Sequence, residues 1–212
     1  MEQHELYMSR CLQLAQQAEG HTAPNPMVGA VIVCDGLIIG EGYHHRCGEP
    51  HAEVNAIRSV NDQNLLMKST LYVNLEPCSH YGKTPPCAQL IIDKKIPRVV
   101  VGMGDPNPKV NGRGIQMLRE AGVEVVENVL NQQCHILNKR FVTMYTKKRP
   151  FVILKWAQTQ DGFIDAWRTT SEIPPLRISN EVTKTLNHQI RSIESAILVG
   201  TNTALLDNPH LT

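Results

Sequence analysis

Apolar residues at Leu6, Met8, Cys11, Leu12, Ala15 and Ala18 recur at helical spacing and mark one face of an N-terminal amphipathic helix. A loop, Thr22-Ala23-Pro24-Asn25-Pro26, follows it. The apolar run Val28 to Cys34 reads as a strand, and Asp35-Gly36 turns it into a second, Leu37 to Gly42, as in a hairpin. Helices are expected over His51–Val60, Pro86–Lys94 (with Leu90, Ile91 and Ile92 buried), Gly114–Ala121 and Asn131–Tyr145. Strands are expected over Thr70–Leu75, Arg98–Gly102 and Val123–Val126. A hairpin followed by alternating helix and strand predicts a three-layer α/β/α domain on a mixed sheet.

Lys147-Lys148-Arg149-Pro150 marks a boundary between a first domain, residues 1–146, and a second segment, residues 147–212. The second segment predicts a strand over Phe151–Trp156, a helix from about Asn180 to Ser192 and a strand over Ala196–Val199. So few elements make a poor independent core, so this segment is expected to be the start of a domain, truncated at Thr212.

Composition adds exclusions. Apolar residues make up 42% of the chain, charged residues 19%, and the formal net charge is +1. That balance gives no field to steer nucleic acid, and no apolar run is long enough to span a membrane. The N-terminus has neither the basic start nor the apolar core of a secretory signal. The six cysteines therefore read as reduced thiols of a cytoplasmic protein, Cys11 and Cys34 as small core residues.

The chemistry lies in His51-Ala52-Glu53, then Pro77-Cys78, then Cys87. One imidazole and two thiols suit a single Zn²⁺ with an open fourth position. A carboxylate beside the histidine is superfluous for holding metal but necessary for moving protons, so Glu53 is the candidate general acid–base. H-x-E … P-C … C is the pattern of zinc nucleobase deaminases. Both thiols are expected near helix N-termini, which favour thiolate. A closed structural site with His80 as fourth ligand is the competing reading. Glu53 weighs against it.

The two cysteines are separated by eight residues, Ser79 to Pro86, instead of the usual two. A loop tied at both ends to metal must lie near substrate. His80, Lys83 and Thr84 offer a cation and donors for a phosphate, so a phosphorylated sugar is expected on the substrate.

With these residues the chain closely resembles the bifunctional deaminase/reductase family of riboflavin biosynthesis. The match runs through Pro24–Gly29, Gly42-Tyr43-His44, His51-Ala52-Glu53, Leu75–Cys87, Asp105-Pro106-Asn107-Pro108 and Gly112-Arg113-Gly114. It continues in Lys155, Asp161-Gly162 and Asp207-Asn208-Pro209. The resemblance implies a cytidine-deaminase-like first domain, which deaminates 2,5-diamino-6-(5-phosphoribosylamino)pyrimidin-4-one. It also implies the beginning of a dihydrofolate-reductase-like domain, which reduces the ribosyl group with NADPH.

Carried over by motif, Asn25, His44, His80, Lys83, Asp105 and Asn107 are expected to line the deaminase pocket, with Thr84 of the insert added as a hydrogen-bond donor to the phosphate. Ala157, Thr203 and Asp207 contact NADPH, and Arg191 and Leu211 the reductase substrate. The family's usual Ser-x-Trp-Ile-Thr stretch is replaced by Pro175-Leu176-Arg177-Ile178-Ser179. No reduction is expected from the second segment as it stands. The partner expected for the protein is the phosphorylated pyrimidine, a small-molecule substrate, with no nucleic acid, no membrane and a possible homo-oligomer. Another nucleoside or nucleobase deaminase and a non-catalytic zinc module are the alternatives.

Overall fold

The computed structural model describes residues 2–81, 85–108 and 110–211. It divides into two compact units, residues 1–151 and 152–212. The first is built on a five-stranded sheet of β1 (Gly29–Cys34), β2 (Leu37–Tyr43), β3 (Thr70–Leu75), β4 (Arg98–Met103) and β5 (Glu124–Val126). Their order is β2-β1-β3-β4-β5, antiparallel from β2 to β3 and parallel from β3 to β5. The expected mixed sheet is present. Asp35 and Gly36 turn β1 into β2 with φ of 50° and 78°, as a two-residue hairpin with matching twist demands.

Side chains alternate across a strand, so the central strands serve two cores. Ala30, Ile32, Leu71, Val73, Val99 and Val101 face one side. There they meet Ala52, Ala56 and Ile57 of α2 (Ala52–Ser59), Ala88 and Ile91 of α3 (Cys87–Asp93) and Leu118 of α4 (Arg113–Glu120). Val31, Val33, Tyr72 and Val100 face the other side. They pack on Tyr7, Met8, Cys11 and Leu14 of α1 (Glu2–Gln16) and on Cys134 of α5 (Asn131–Leu137). These are the three predicted layers, and Cys11 and Cys34 are buried in them.

Four details depart from the sequence reading. Leu6 is 66% exposed, and Tyr7 and Leu14 complete the buried face of α1 instead. In α3 only Ile91 is fully buried; Leu90 and Ile92 are partly so, because consecutive helical positions cannot share one face. A 3-10 helix, Gln63–Lys68, precedes β3 unannounced.

The helix expected over Asn131–Tyr145 is broken at Asn138 into α5 and α6 (Lys139–Lys147). Asn138 leaves helical geometry and clasps the backbone of Met27. Its Oδ1 accepts from the Met27 N–H at 2.8 Å, and its Nδ2 donates to the Met27 carbonyl at 2.9 Å.

The second unit holds α7 (Glu181–Ser192), which Asn180 caps by accepting from the Thr183 N–H, and α8 (Thr201–Asp207). The strands expected over Phe151–Trp156 and Ala196–Val199 do not form. A strand needs a hydrogen-bonded neighbour, and no paired strand is present among the described residues of this unit.

Candidate active site

His51 is the N-cap residue of α2, Glu53 lies in its first turn, and Cys87 opens α3. Cys78 follows the end of β3. The carboxyl end of the sheet thus delivers four reactive side chains to one place. His51 Nδ1 lies 3.6 Å from Cys78 Sγ and 3.3 Å from Cys87 Sγ, and the three ligand atoms fall within 4.8 Å of one another.

Zinc–sulfur bonds of about 2.3 Å and zinc–nitrogen bonds of about 2.0 Å at a tetrahedral angle put N and S ligands about 3.5 Å apart. The side chains therefore already stand at ligand spacing, and the donor set suits zinc. His80 is exposed and does not join the cluster, so among the described residues it supplies no fourth ligand.

Electrostatics favour a cation here. The Cys87 backbone N–H donates to Cys78 Sγ at 3.2 Å, as expected for a sulfur beside a helix N-terminus. The Cys78 thiol is pushed down to about 4, chiefly by hydrogen bonding from Cys87, while that neighbour and burial hold the Cys87 thiol well up. Hydrogen bonding to Cys78 raises His51 to about 9. Glu53 is 3% exposed, and burial pushes its carboxyl above the usual range. A divalent cation at the cluster would draw it back towards carboxylate. The result is a buried carboxyl group beside a His-Cys-Cys cluster that could hold a metal ion.

The surrounding wall is assembled by hydrogen bonds. His44 is buried and uses both ring nitrogens. Its Nδ1 lies 3.1 Å from the Pro50 carbonyl, which can only accept, so Nδ1 carries the proton. Its Nε2 then accepts from Asn25 Nδ2 at 3.1 Å. The ring stands edge-on to His51, with centroids 5.5 Å apart, and burial lowers its basicity.

The loop carrying Asn25 is pinned from below. Asn74 of β3 accepts from the Gly29 N–H at 2.8 Å and donates to the Met27 carbonyl at 3.1 Å, and Asn138 grips Met27 as described. Asp105 follows β4, is 8% exposed and accepts from the Asn107 N–H at 2.8 Å. Burial raises its carboxyl to about 6, partly offset by that hydrogen bond and by His80.

Lys83 and Thr84 lie outside the described residues. In the second unit, Asp207 is held by Arg168 at 2.6 Å, and Arg191 donates to the His210 carbonyl at 2.8 Å. Ala157 is half-buried, and Thr203 and Leu211 are exposed. No hydrogen bond or ion pair joins the expected NADPH residues Ala157, Thr203 and Asp207 to one another among the described interactions.

Glu76 is what the sequence reading passed over. It is 3% exposed and accepts four backbone N–H bonds, from Asp105, Gly112, Gly114 and Ile115. The available signal was an acidic residue at a strand end directly before Pro77-Cys78, with Gly112-Arg113-Gly114 downstream.

Residues 1–103 match the family described as the cytidine and deoxycytidylate deaminase zinc-binding region, and residues 150–212 match the RibD C-terminal domain. The chain is 45% identical over 206 residues to riboflavin biosynthesis protein RibD of Aquifex aeolicus, covering 97% of this chain and 56% of that protein. Solved structures of similar fold include two relatives. One is a diaminohydroxyphosphoribosylaminopyrimidine deaminase/5-amino-6-(5-phosphoribosylamino)uracil reductase of Thermotoga maritima (TM-score 0.87, 45% identity, 98% of this chain and 58% of that one). The other is Acinetobacter baumannii RibD (TM-score 0.90, 37% identity, 99% and 57%). The chain spans about half the length of the relatives it matches. No helix among the described residues is long and apolar enough to cross a membrane. With the deaminase motif, the RibD C-terminal match and these relatives in agreement, the chain belongs to the RibD family of riboflavin biosynthesis proteins.

Proposed function

We propose that residues 1–146 form a zinc-dependent hydrolytic deaminase acting on 2,5-diamino-6-(5-phosphoribosylamino)pyrimidin-4-one. The carrying observation is the His51–Cys78–Cys87 triangle at zinc-ligand spacing with buried Glu53 beside it. His51 Nδ1 and the two sulfurs would hold the ion. When bound, zinc supplies Lewis acidity and lowers the pKa of a water ligand to about 7.

Glu53 takes a proton from the attacking water and passes protons to the ring nitrogen and the leaving amine, so that oxygen replaces nitrogen on the ring carbon and ammonia departs. Asn25 Nδ2 is committed to His44, which directs the Asn25 carbonyl oxygen away from that bond and leaves it free to accept from substrate. Asp105 and Asn107, after β4, supply a further wall. His80, Lys83 and Thr84 are assigned to the sugar phosphate from the sequence pattern and the family resemblance.

Residues 147–212 are assigned to the reductase of the same family. Ala157, Thr203 and Asp207 would serve NADPH, and Arg191 and Leu211 its substrate. The match to the RibD C-terminal domain supports this.

Zinc analysis and ammonia release test the deaminase reading. Wild type should carry one zinc per chain and release ammonia from the phosphorylated pyrimidine. Cys87→Ala should lose most of its zinc and all measurable turnover. Full zinc retention by Cys87→Ala would remove Cys87 from the metal set.

A further inference from the structure

We propose that Glu76 is a positioning residue for substrate: its carboxylate locks the Asp105–Asn107 wall to the loop that carries Cys78. The inference rests on the deaminase reading above. Glu76 Oε2 accepts from the N–H groups of Asp105 at 3.1 Å and Gly112 at 2.9 Å; Oε1 accepts from those of Gly114 at 2.9 Å and Ile115 at 3.3 Å. Its own N–H donates to the Met103 carbonyl at 2.9 Å. One residue therefore grips both ends of the segment from the close of β4 to the first turn of α4. That segment presents Asp105 and Asn107, and Glu76 stands two residues before Cys78.

The joint is built for close approach. A Cβ on Gly114 would sit 2.0 Å from the Pro77 carbonyl oxygen and 3.3 Å from Glu76 Oε1, so only glycine lets α4 reach this carboxylate. Gly112 holds φ at 77°, which aims its N–H inward. The carboxylate also meets the positive end of the α4 dipole. A buried side chain whose two oxygens are taken up by four backbone N–H groups acts through the segment it holds. It couples the position of the wall to that of the metal ligand.

The amide of Glu76→Gln is nearly isosteric but turns an NH₂ against two N–H donors. In the zinc-loaded full chain, we expect hydrogen exchange across residues 105–115 to accelerate about tenfold or more, as loss of charge-assisted hydrogen bonds predicts. Zinc content should stay at wild-type level. KM for the pyrimidine should rise about tenfold or more while kcat falls less than about threefold.

Combined with Asp105→Ala, the KM losses should be less than additive, since both act on one wall. Gly112→Ala, whose methyl would meet nothing within 4 Å, should move exchange and KM in the same direction by less. It supplies the measurement if Glu76→Gln does not accumulate folded. Active wild type paired with variants whose exchange at 105–115 and KM are unchanged overturns the role alone. So does a loss confined to zinc content or kcat. A wild type that releases no ammonia overturns the deaminase reading and this role together.

Discussion

The two units carry the same kinds of apolar side chain and treat them oppositely. In residues 1–151, Leu71, Ile91, Met103 and Leu118 are all but removed from solvent. In residues 152–212, Leu154, Trp167 and Leu198 are 77%, 92% and 97% exposed, and no described residue is buried. The first unit has a sheet that gives each helix a surface to cover. The second unit's helices rest on polar devices: the Asn180 cap, the Arg177–Glu181 pair at the start of α7, and the Arg168 bridge to Asp165 and Asp207.

Carboxyl chemistry follows the same divide. Burial pushes Glu53 and Asp105 up, whereas the half-buried Asp165 is pushed down, first by the Leu176 N–H and also by Arg168. A carboxyl pKa raised by burial requires a core, and among the described residues only the first unit has one.

The largest effect that would sharpen this contrast is at Glu53. Glu53→Gln should retain zinc and fold but lose about 10² to 10⁴ in deamination rate, because the amide cannot pass protons. Leu198→Ala should leave ammonia release unchanged. Activity of Glu53→Gln within about threefold of wild type would take Glu53 out of the mechanism.

Stability should divide the same way. Leu71→Ala, in the central strand, should cost about 2–5 kcal/mol of the first unit's unfolding free energy. Leu198→Ala should stay within about 0.5 kcal/mol, as for a side chain that loses no contacts. Denaturant titration of both variants checks this. A large loss at Leu198 would mean that its exposed face is covered in solution and would break the comparison.

How much could be read from the chain follows the same line between local and distant causes. β1, β3 and β4 were legible because their apolar runs are buried on both faces, and the metal triangle because His51, Cys78 and Cys87 are types that rarely cluster for other reasons. The break at Asn138 was not, because its cause is Met27, 111 positions away in sequence. The apolar spacing puts Leu6 on the buried helix face, but the side of α1 that meets Tyr72 of β3 carries Tyr7. The strands expected in 152–212 had the right composition, but composition cannot specify a neighbour. Glu76 was visible as a letter in a motif; its four N–H partners lie 29 to 39 residues downstream.

The smallest predicted difference concerns ion pairs. Arg10 of α1 grips Glu41 of β2 through two hydrogen bonds, at 2.7 and 2.8 Å, tying two elements together. Arg177, which precedes α7, pairs with Glu181 in its first turn, with side chains 70% and 67% exposed. Arg10→Ala should cost about 0.5–1 kcal/mol near neutral pH, kept small by solvent screening of a partly exposed pair. Arg177→Ala should cost less than about 0.3 kcal/mol.

The sign with pH separates the two further. Hydrogen bonding from Arg10 lowers the Glu41 carboxyl below its ordinary value of 4.5, so the unfolded chain takes up the proton first as pH falls. The stabilisation is therefore complete above the unfolded value and is lost as pH drops through the lower folded one. Unfolding free energies of wild type and Arg10→Ala should differ at pH 7 and converge in the acid range below the folded value. A difference that persists undiminished there would mean that Arg10 acts by packing its aliphatic stem against β2, and the cross-element pair would then have no more electrostatic weight than the exposed Arg177–Glu181 pair.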